Sequence, residues 1–504
     1  MNLTQSVDHV ALLPAYLAAG TAVLVLLADL LLGRRGATAA VLATGAVATA
    51  VVALVVGAGD DRRTFCAGDA CSYLATGRAA LVAALFALLT LGVLALSATL
   101  LRAGEVPVGE YCFLLACSMT GGVVLGAAGD LITLIVALET LTLPLYVLVG
   151  LRRRSVAGAE AAVTFFVVSV VATAVTLLGA ALLYAVTGAL HLRPLATAFT
   201  DDPGLLDIPL TSAAVALVVL GLAFKIAAVP FHAWAPATYD GAPLPVAAYL
   251  STASKLGGVV ALLAVTGIAA PAAGAVLHDA PLPASVTGPV LAALAVLTMT
   301  VGNLVALRQA RMVRLLAWSS VAQAGYIIAP LGALALAAGR DTDQFGTAVA
   351  AALAYAVFFV VLELGAFGAV IALRSGHGDG GAVEDYRGVA RRRPVVGAVL
   401  ALALVGLAGL PPGLAGLFAK ITIVRSLLLG DSDWLALVVA VNAVIGLAYY
   451  VRVAATLYND PGPVETPTTV RTPWPVVATL AAATVLTVVL GFAPQLVLDA
   501  AAGW

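Results

Sequence analysis

The stretch VGLAGLPPGLAGLFAKITIV, residues 405–424, is the one from which the fold can be inferred. It is apolar and long enough to cross a bilayer, but Pro411 and Pro412 interrupt its middle and Lys420 follows the interruption. The lipid interior has no water to solvate an ammonium group. Because backbone freed by a proline break is tolerated at membrane depth only where it lines a cavity, the stretch predicts a polar cavity inside the membrane.

The composition of the whole chain is that of a membrane protein. Of its 504 residues, 62% are hydrophobic and 10% are charged, and the mean hydropathy is +1.09. A soluble domain contains roughly 25% charged residues. The formal net charge of −1 does not indicate a nucleic-acid partner, and we expect none.

We predict an all-α, polytopic membrane protein with about 14 transmembrane helices, because apolar runs of membrane-spanning length recur from end to end. The connections are too short for a soluble domain, so any catalysis must be vectorial or depend on partner subunits. The predicted spans are residues 11–33, 38–57, 79–101, 111–129, 131–150, 160–187, 211–235, 244–269, 286–306, 314–338, 346–373, 394–428, 433–457 and 472–499.

Arginines in the connections predict the orientation, because basic loops remain on the cytoplasmic side. With the N-terminus outside, the cytoplasmic set is Arg34, Arg35, Arg102, Arg152, Arg153, Arg154, Arg308, Arg311, Arg314, Arg374, Arg387, Arg391, Arg392, Arg393 and Arg471. The outer set is Arg62, Arg63, Arg78, Arg193 and Arg340. This imbalance predicts that both termini face outward.

The three lysines, Lys225, Lys255 and Lys420, all lie inside predicted spans. Arginine stays protonated in proteins, whereas a desolvated lysine can lose its proton near neutral pH.

Glu139 lies at the centre of another span, where a carboxylate costs about 2.5–3.5 kcal/mol on insertion scales. Pro144 deprives a nearby helical carbonyl of its donor and introduces a kink there. We predict that Glu139 pairs with Lys225 and that movement of the pair changes the proton affinity of each; a purely structural ion pair is the alternative.

Lys255 is the expected centre of a proton relay. Ser251, Thr252 and Ser254 precede it closely, and hydroxyl groups with water can conduct protons to a lysine. Snorkelling of the side chain to the interface is the alternative. Lys420 is expected to bind the carbonyl groups or water at the proline break.

Weaker candidates complete the set. His232 is a possible relay group or an interface histidine, Glu363 is intramembrane without an obvious basic partner, and Asp130 first suggests a helix cap. Cys66 and Cys71 fall in a short outer loop, as a disulfide or as two thiols. The sequence has no pattern of metal ligands and no nucleotide-binding loop, so we expect no metal or cofactor in this chain.

Two interrupted spans suggest an internal repeat. Span seven, VVLGLAFKIAAVPFHAWAP, combines Lys225 with Pro230, and span twelve repeats this combination five helices later. Corresponding broken helices in two halves are typical of inverted-repeat transporters. The predicted units are residues 1–110 (helices 1–3), 111–270 (first five-helix repeat), 286–458 (second, inverted five-helix repeat) and 472–504 (helix 14), with helices 7 and 12 broken.

The chain resembles the antiporter-like membrane subunits of respiratory complex I (NADH-quinone oxidoreductase) over nearly all of its length. The matching stretches are LITLIVALETLTLPLYVL, AFKIAAVPFHAWAPATYDGAPLPVAAYLSTASK and GLAGLPPGLAGLFAKITI. The resemblance implies that Glu139 and Lys225 form a regulating pair, that Lys255 is the central relay and that Lys420 connects to the outer side. In this family, one branch has lysine and another has glutamate in broken helix twelve. With Lys420 at that place, the chain resembles the lysine branch.

The resemblance also implies the setting of the protein. NADH, flavin mononucleotide, iron–sulfur clusters and quinone would belong to partner subunits, and the small subunit K and the antiporter-like subunit M would be neighbours in a prokaryotic inner membrane. We therefore expect a proton-translocating subunit. A subunit of a Mrp-type cation/proton antiporter or of a membrane-bound hydrogenase, and a purely structural scaffold, remain the alternatives.

Overall fold

The structure is a computed structural model, and it describes residues 6–152, 155–268, 282–336, 342–374, 379–460 and 472–502. Twelve helices within these ranges are long and apolar enough to cross a membrane. The prediction of a polytopic helical membrane protein is confirmed. The predicted features outside the described residues are Arg153, Arg154, Arg340, Arg471, the last residues of spans 244–269 and 314–338, and the two ends of the chain.

The helices and strands follow one another in three groups. The first group is α1 (Leu13–Leu32), α2 (Arg35–Gly57), β1 (Arg62–Ala67), β2 (Ala70–Ala75), α3 (Gly77–Leu96) and α4 (Ala98–Ala103). The second is α5 (Val108–Leu125), α6 (Leu131–Gly150), α7 (Val156–Thr187), α8 (Leu192–Asp201), α9 (Pro209–Lys225), α10 (Trp234–Gly241), α11 (Leu244–Tyr249) and α12 (Lys255–Leu263). The third is α13 (Ala284–Ala306), α14 (Met312–Gly332), α15 (Thr342–Leu373), α16 (Val389–Arg392), α17 (Pro394–Ala408), α18 (Leu414–Leu429), α19 (Asp433–Tyr458), α20 (Trp474–Phe492) and α21 (Gln495–Ala502).

The loop between α2 and α3 is a β-hairpin, which was not predicted from the sequence. Strands β1 and β2 are antiparallel, with Cys66 opposite Cys71, and the two cysteines form a disulfide. The structure therefore selects the disulfide from the two alternatives that the sequence left open.

Two predicted spans are interrupted helices. Helix α9 ends at Lys225, and the chain is irregular past Pro230 before α10 begins, because proline lacks the N–H that a helix interior needs. Predicted span 394–428 is two helices, α17 and α18. Between them Gly409 has φ +80°, a left-handed conformation that glycine adopts readily at the end of a helix.

Helices α6, α9, α12, α15 and α18 carry the buried charges, and together with α14 they are called the central layer below. Helices α11 and α12 are joined by one π-helical turn, Leu250–Ser254, and cross as one span, Leu244–Gly267, that protein encloses on every side. Helix α14 is nearly as enclosed, whereas most of α7 faces outward. Helix α15 contacts both α12 and α18, so it connects the two sides of the central layer.

Candidate functional site

Glu139 on α6 and Lys225 on α9 form an ion pair. Lys225 Nζ lies 2.7 Å from Glu139 Oε1, and the lysine side chain is 5% exposed while that of the glutamate is 20% exposed. Lys225 is the last residue of α9, where the free carbonyl groups and the helix dipole favour a cation. The break after α9 therefore places the ammonium group at the helix end that stabilises its charge.

Hydroxyl groups surround this pair. Lys225 Nζ also donates hydrogen bonds to Thr142 Oγ1 and Ser169 Oγ, both at 3.1 Å. Thr173 Oγ1 donates to Glu139 Oε1 at 2.6 Å, and Tyr146 donates to Ser169. Polar contacts from α6 and α7 thus satisfy both charged groups, as burial of an ion pair requires.

The kinked and broken backbone near the pair is held by other helices. Helix α6 continues through Pro144, and the Leu141 carbonyl in the same turn accepts a hydrogen bond from Ser118 of α5 at 2.6 Å. Beyond α9, the Val229 N–H donates to Thr298 Oγ1 of α13 at 2.9 Å. The first break is therefore anchored to a helix from the third group of elements.

Lys255 is buried at the centre of the molecule, with 1% exposure. Its Nζ donates to the carbonyl oxygen and to the hydroxyl oxygen of Ser320 on α14, and lies 5.7 Å from the Phe359 ring centroid. Ser251 and Thr252, which we expected to lead to it, instead donate to a carbonyl of their own helix. The hydroxyl group that Lys255 contacts directly comes from another helix, α14.

Glu363 lies on α15, one turn beyond Phe359, and is fully buried. Neither of its carboxyl oxygens has a hydrogen-bond partner among the described residues. Its helix packs against α12, and Lys255 Nζ lies 5.7 Å from the ring centroid of Phe359, one turn before Glu363. The sequence offered no basic partner for Glu363, because Lys255 is distant in the chain and approaches only through helix packing.

Lys420 on α18 is buried and binds the end of the preceding helix. Its Nζ donates to the carbonyl oxygens of Leu407, at 3.2 Å, and of Ala408, the last two residues of α17. It lies 5.3 Å from the Tyr326 ring centroid, at the distance of a cation–π contact. The break thus supplies the ammonium group with helix-end carbonyls that have no intrahelical donor.

A polar chain on α14 lies between Lys255 and Lys420. Gln323, one turn after Ser320, donates to the Leu407 carbonyl at 3.1 Å, the same oxygen that accepts from Lys420. Gln323 also donates to Tyr450 at 2.9 Å and accepts from Tyr355. These groups were not predicted from the sequence. A signal for them is present in WSSVAQAGY, where polar residues recur at helical spacing and mark one polar face: Ser319, Ser320, Gln323 and Tyr326.

His232 and Asp130 lie apart from these contacts. His232 packs against Trp318, with 5.1 Å between ring centroids, and its Nδ1 has no hydrogen-bond partner in the part of the chain that the structure describes. Asp130 caps α6 by accepting from the Thr133 N–H at 2.6 Å, which is the role that its position first suggested.

Comparisons with known proteins agree with this architecture. Residues 128–446 match the family described as NADH:quinone oxidoreductase/Mrp antiporter, TM. NADH-quinone oxidoreductase subunit N of Salinispora tropica is 69% identical over 100% of both chains, and subunit N 2 of Streptomyces griseus is 45% identical over 94% of this chain and 87% of its own.

Solved structures show the same fold. A chain of respiratory complex I from Thermus thermophilus, solved with bound aureothin, is 28% identical, with a TM-score of 0.75 over 97% of this chain and 99% of that one. A chain of the Mrp complex from Dietzia is 22% identical, with a TM-score of 0.79 over 98% of this chain and 96% of its own. The resemblance predicted from the sequence is confirmed, and the chain belongs to the NADH:quinone oxidoreductase/Mrp antiporter transmembrane family.

Proposed function

We propose that this chain is a proton-translocating membrane subunit of a bacterial NADH-quinone oxidoreductase, and that Glu139, Lys225, Lys255 and Lys420 carry the protons. The observation that carries the proposal is the set of three buried lysines, each with a different polar partner, in the central layer of helices. Full-length identity to subunit N proteins supports the assignment to that enzyme.

The ion pair is the regulated step of the proposed mechanism. A charge or conformational change in a neighbouring subunit alters the separation of Glu139 and Lys225 and so alters the proton affinity of each. Thr142 and Ser169 remain as hydrogen-bond partners for Lys225 when the carboxylate moves away. The pair therefore converts a mechanical change into a protonation change.

Protons then pass through Lys255 to Lys420. Ser320, Gln323 and the Leu407 carbonyl provide the polar connection between these lysines. Glu363 acts on the charge state of Lys255, and His232 is a possible additional relay group at the first break. Water molecules between these groups complete the path, as in other intramembrane proton relays.

Redox chemistry takes place in other subunits. The described residues contain no cluster of metal-ligating side chains, and NADH, flavin mononucleotide, iron–sulfur clusters and quinone are assigned to the partners. We assign the small subunit K and the antiporter-like subunit M as neighbours, with this chain in the cell membrane and both termini outside.

Two inverted five-helix repeats, residues 111–270 and 286–458, are the proposed framework. Helix pairing supports them, because α5 packs on α6 and α7 on α9 and α10, while α13 packs on α14 and α15 on α17 and α18. Each proposed repeat then contributes one broken helix with a lysine at the break.

The test is Lys420→Met in the assembled complex. We expect NADH-driven proton uptake into membrane vesicles to fall by about a hundredfold, at the low end of the effect of losing a proton-transfer group. Arg425→Met is the matched control, since Arg425 lies on the same helix but is exposed, and it should pump normally. Full pumping by an assembled Lys420→Met complex would reject the relay.

A Mrp-type antiporter subunit is the second candidate, favoured by the shared fold of the Dietzia chain. It predicts a sodium-driven pH change in vesicles that contain this chain and no NADH dehydrogenase subunits. Absence of that change, together with the loss of pumping in Lys420→Met, separates the two functions.

A further inference from the structure

A large apolar groove lies outside the proposed relay, on the side of the molecule formed by α2, α3, α15 and α20. Its volume is about 1020 Å³, and its walls are alanine, leucine and valine side chains with few polar exceptions. Ligand pockets commonly have volumes of about 300–1,000 Å³, so the groove is large enough for a bound molecule.

One end of the groove is cationic. Arg35 and Arg102 line this end, and neither has an acidic partner among the described residues. The Arg35 guanidinium lies beside Gly104, 3.3 Å from the point that a Cβ there would occupy. Nearby Glu105 is already paired with Arg152 at 3.0 Å. Arg35 and Arg102 thus contribute two cationic side chains to this end of the groove, and neither forms an ion pair within the described residues.

Backbone groups strengthen the attraction for an anion at the same end. Helix α2 begins at Arg35 without a side-chain cap. Helix α20 begins beside the groove at Trp474, but Pro475 in its first turn has no N–H to offer, so α2 is the helix that contributes here. Free N–H groups and the helix dipole make such N-termini attractive to phosphate. Trp474 is 74% exposed, and tryptophan of this kind is enriched at the membrane–water interface.

The length of the groove matches one leaflet of a bilayer. Along α20 the lining extends from Trp474 to Leu486, about 18 Å of helix at 1.5 Å per residue. Half of the hydrocarbon core is about 15 Å thick.

We propose that this groove is a binding site for one anionic phospholipid, whose phosphate lies between Arg35 and Arg102 and whose acyl chains lie along α3, α15 and α20. The charged rim, the one-leaflet depth and the apolar walls together fit this class of molecule, whereas a free phosphate would leave the apolar walls uncovered.

The deep end of the groove gives the lipid a role. Leu256 and Leu364 line it, and each directly follows a buried charged residue, Lys255 and Glu363 respectively. An acyl chain against these leucines excludes water from that flank of the central layer. The lipid therefore seals the charged interior on the side where the protein itself leaves a gap.

The test measures lipid retention by the full-length chain purified in detergent, with phosphatidylglycerol and phosphatidylcholine as probes and native mass spectrometry as the readout. We expect preferential retention of phosphatidylglycerol, reduced about tenfold or more in the double variant Arg35→Gln/Arg102→Gln, since each arginine contributes to binding of an anionic headgroup. Arg34→Gln/Arg314→Gln is the control, because these exposed arginines do not line the groove. Equal retention of the two lipids by the unmodified chain, or equal losses in the two variants, would overturn the proposal.

A second measurement covers the case of a misfolded double variant. A photo-reactive amino acid replaces Leu88, a groove residue that is 52% exposed, in the assembled complex. Cross-linking to phospholipid supports the proposal, and cross-linking to a neighbouring subunit overturns it. Both readouts are independent of proton pumping, so their outcome is separate from that of the relay.

Discussion

At the scale of single residues, the environment of each buried charge explains why it is tolerated. Lys225 has a carboxylate, Lys255 a hydroxyl and a carbonyl, and Lys420 two helix-end carbonyls. Glu363 differs, since both of its oxygens lack a hydrogen-bond partner in the described part of the chain. A buried carboxyl without partners is costly to retain, which is why we include it in the proposed mechanism.

The Glu139–Lys225 pair can be separated into structural and functional parts by a double-mutant cycle. Glu139→Gln leaves Lys225 buried without its counter-charge, and we expect a loss of about 3–5 kcal/mol in the free energy of unfolding, typical of a broken buried pair. Adding Lys225→Met should restore most of this stability, because no unpaired charge remains.

The two readouts of this cycle are denaturant titration in detergent and proton pumping by the assembled complex. We expect pumping to stay low in the double variant although stability returns. Recovery of pumping together with stability would mean that the pair is only structural.

At the scale of elements, the ends of broken helices form the binding groups. The α17 break presents the carbonyls that hold Lys420, and the α9 break puts Lys225 at a helix C-terminus. The sequence predicted both breaks, because proline within an apolar run is a local signal. It did not predict the contribution of α14, since the contact between Gln323 and the Leu407 carbonyl depends on helix packing.

Gly409 tests the geometry of the α17 break. Its φ of +80° disfavours a side chain, and a Cβ there would lie 2.7 Å from Lys420 Cδ. We expect Gly409→Ala to lower the free energy of unfolding by about 1–3 kcal/mol through backbone strain and to reduce pumping by displacing Lys420.

The control for this variant is Gly346→Ala on α15. Gly346 has open space around its Cα, so alanine should be neutral or stabilising by about 0.5–1 kcal/mol in a helix. The measurements are again denaturant titration and vesicle pumping. Normal pumping in Gly409→Ala would show that the position of Lys420 tolerates displacement.

At the scale of the whole molecule, composition and periodicity predicted the class of fold, and interrupted spans predicted where charges would be buried. Among the contacts of the buried charges with residues distant in sequence, the pairing of Glu139 with Lys225 was predicted, whereas the contact of Ser320 with Lys255 was not. The hairpin was missed because β1 begins with two arginines and β2 has apolar residues on both faces, so the alternating burial of Cys71, Tyr73 and Ala75 is not visible in the sequence. Local signals were therefore sufficient for most of the elements and insufficient for most of their contacts.

The orientation of the molecule is a testable prediction of its arginine distribution. In a Cys117→Ala background, Asp60→Cys at the hairpin loop and Ala103→Cys at the end of α4 introduce two exposed thiols on opposite sides. Because we predict that the basic connections are cytoplasmic, we expect an impermeant maleimide to label Asp60→Cys in intact spheroplasts and Ala103→Cys only after permeabilisation. The reverse pattern would place both termini inside.

The three buried lysines have different partners, so the end of the central layer with Lys225 is not equivalent to the end with Lys420. Lys225 faces the formal negative charge of Glu139, whereas Lys420 faces only the neutral dipoles of backbone carbonyls. Electric fields from an ion weaken more slowly with distance than those from a dipole, so the first lysine is the one that a remote event can influence. In the proposed relay, the lysine that responds to a neighbouring subunit is therefore distinguished from the lysine at the other end by the chemistry of its partner alone.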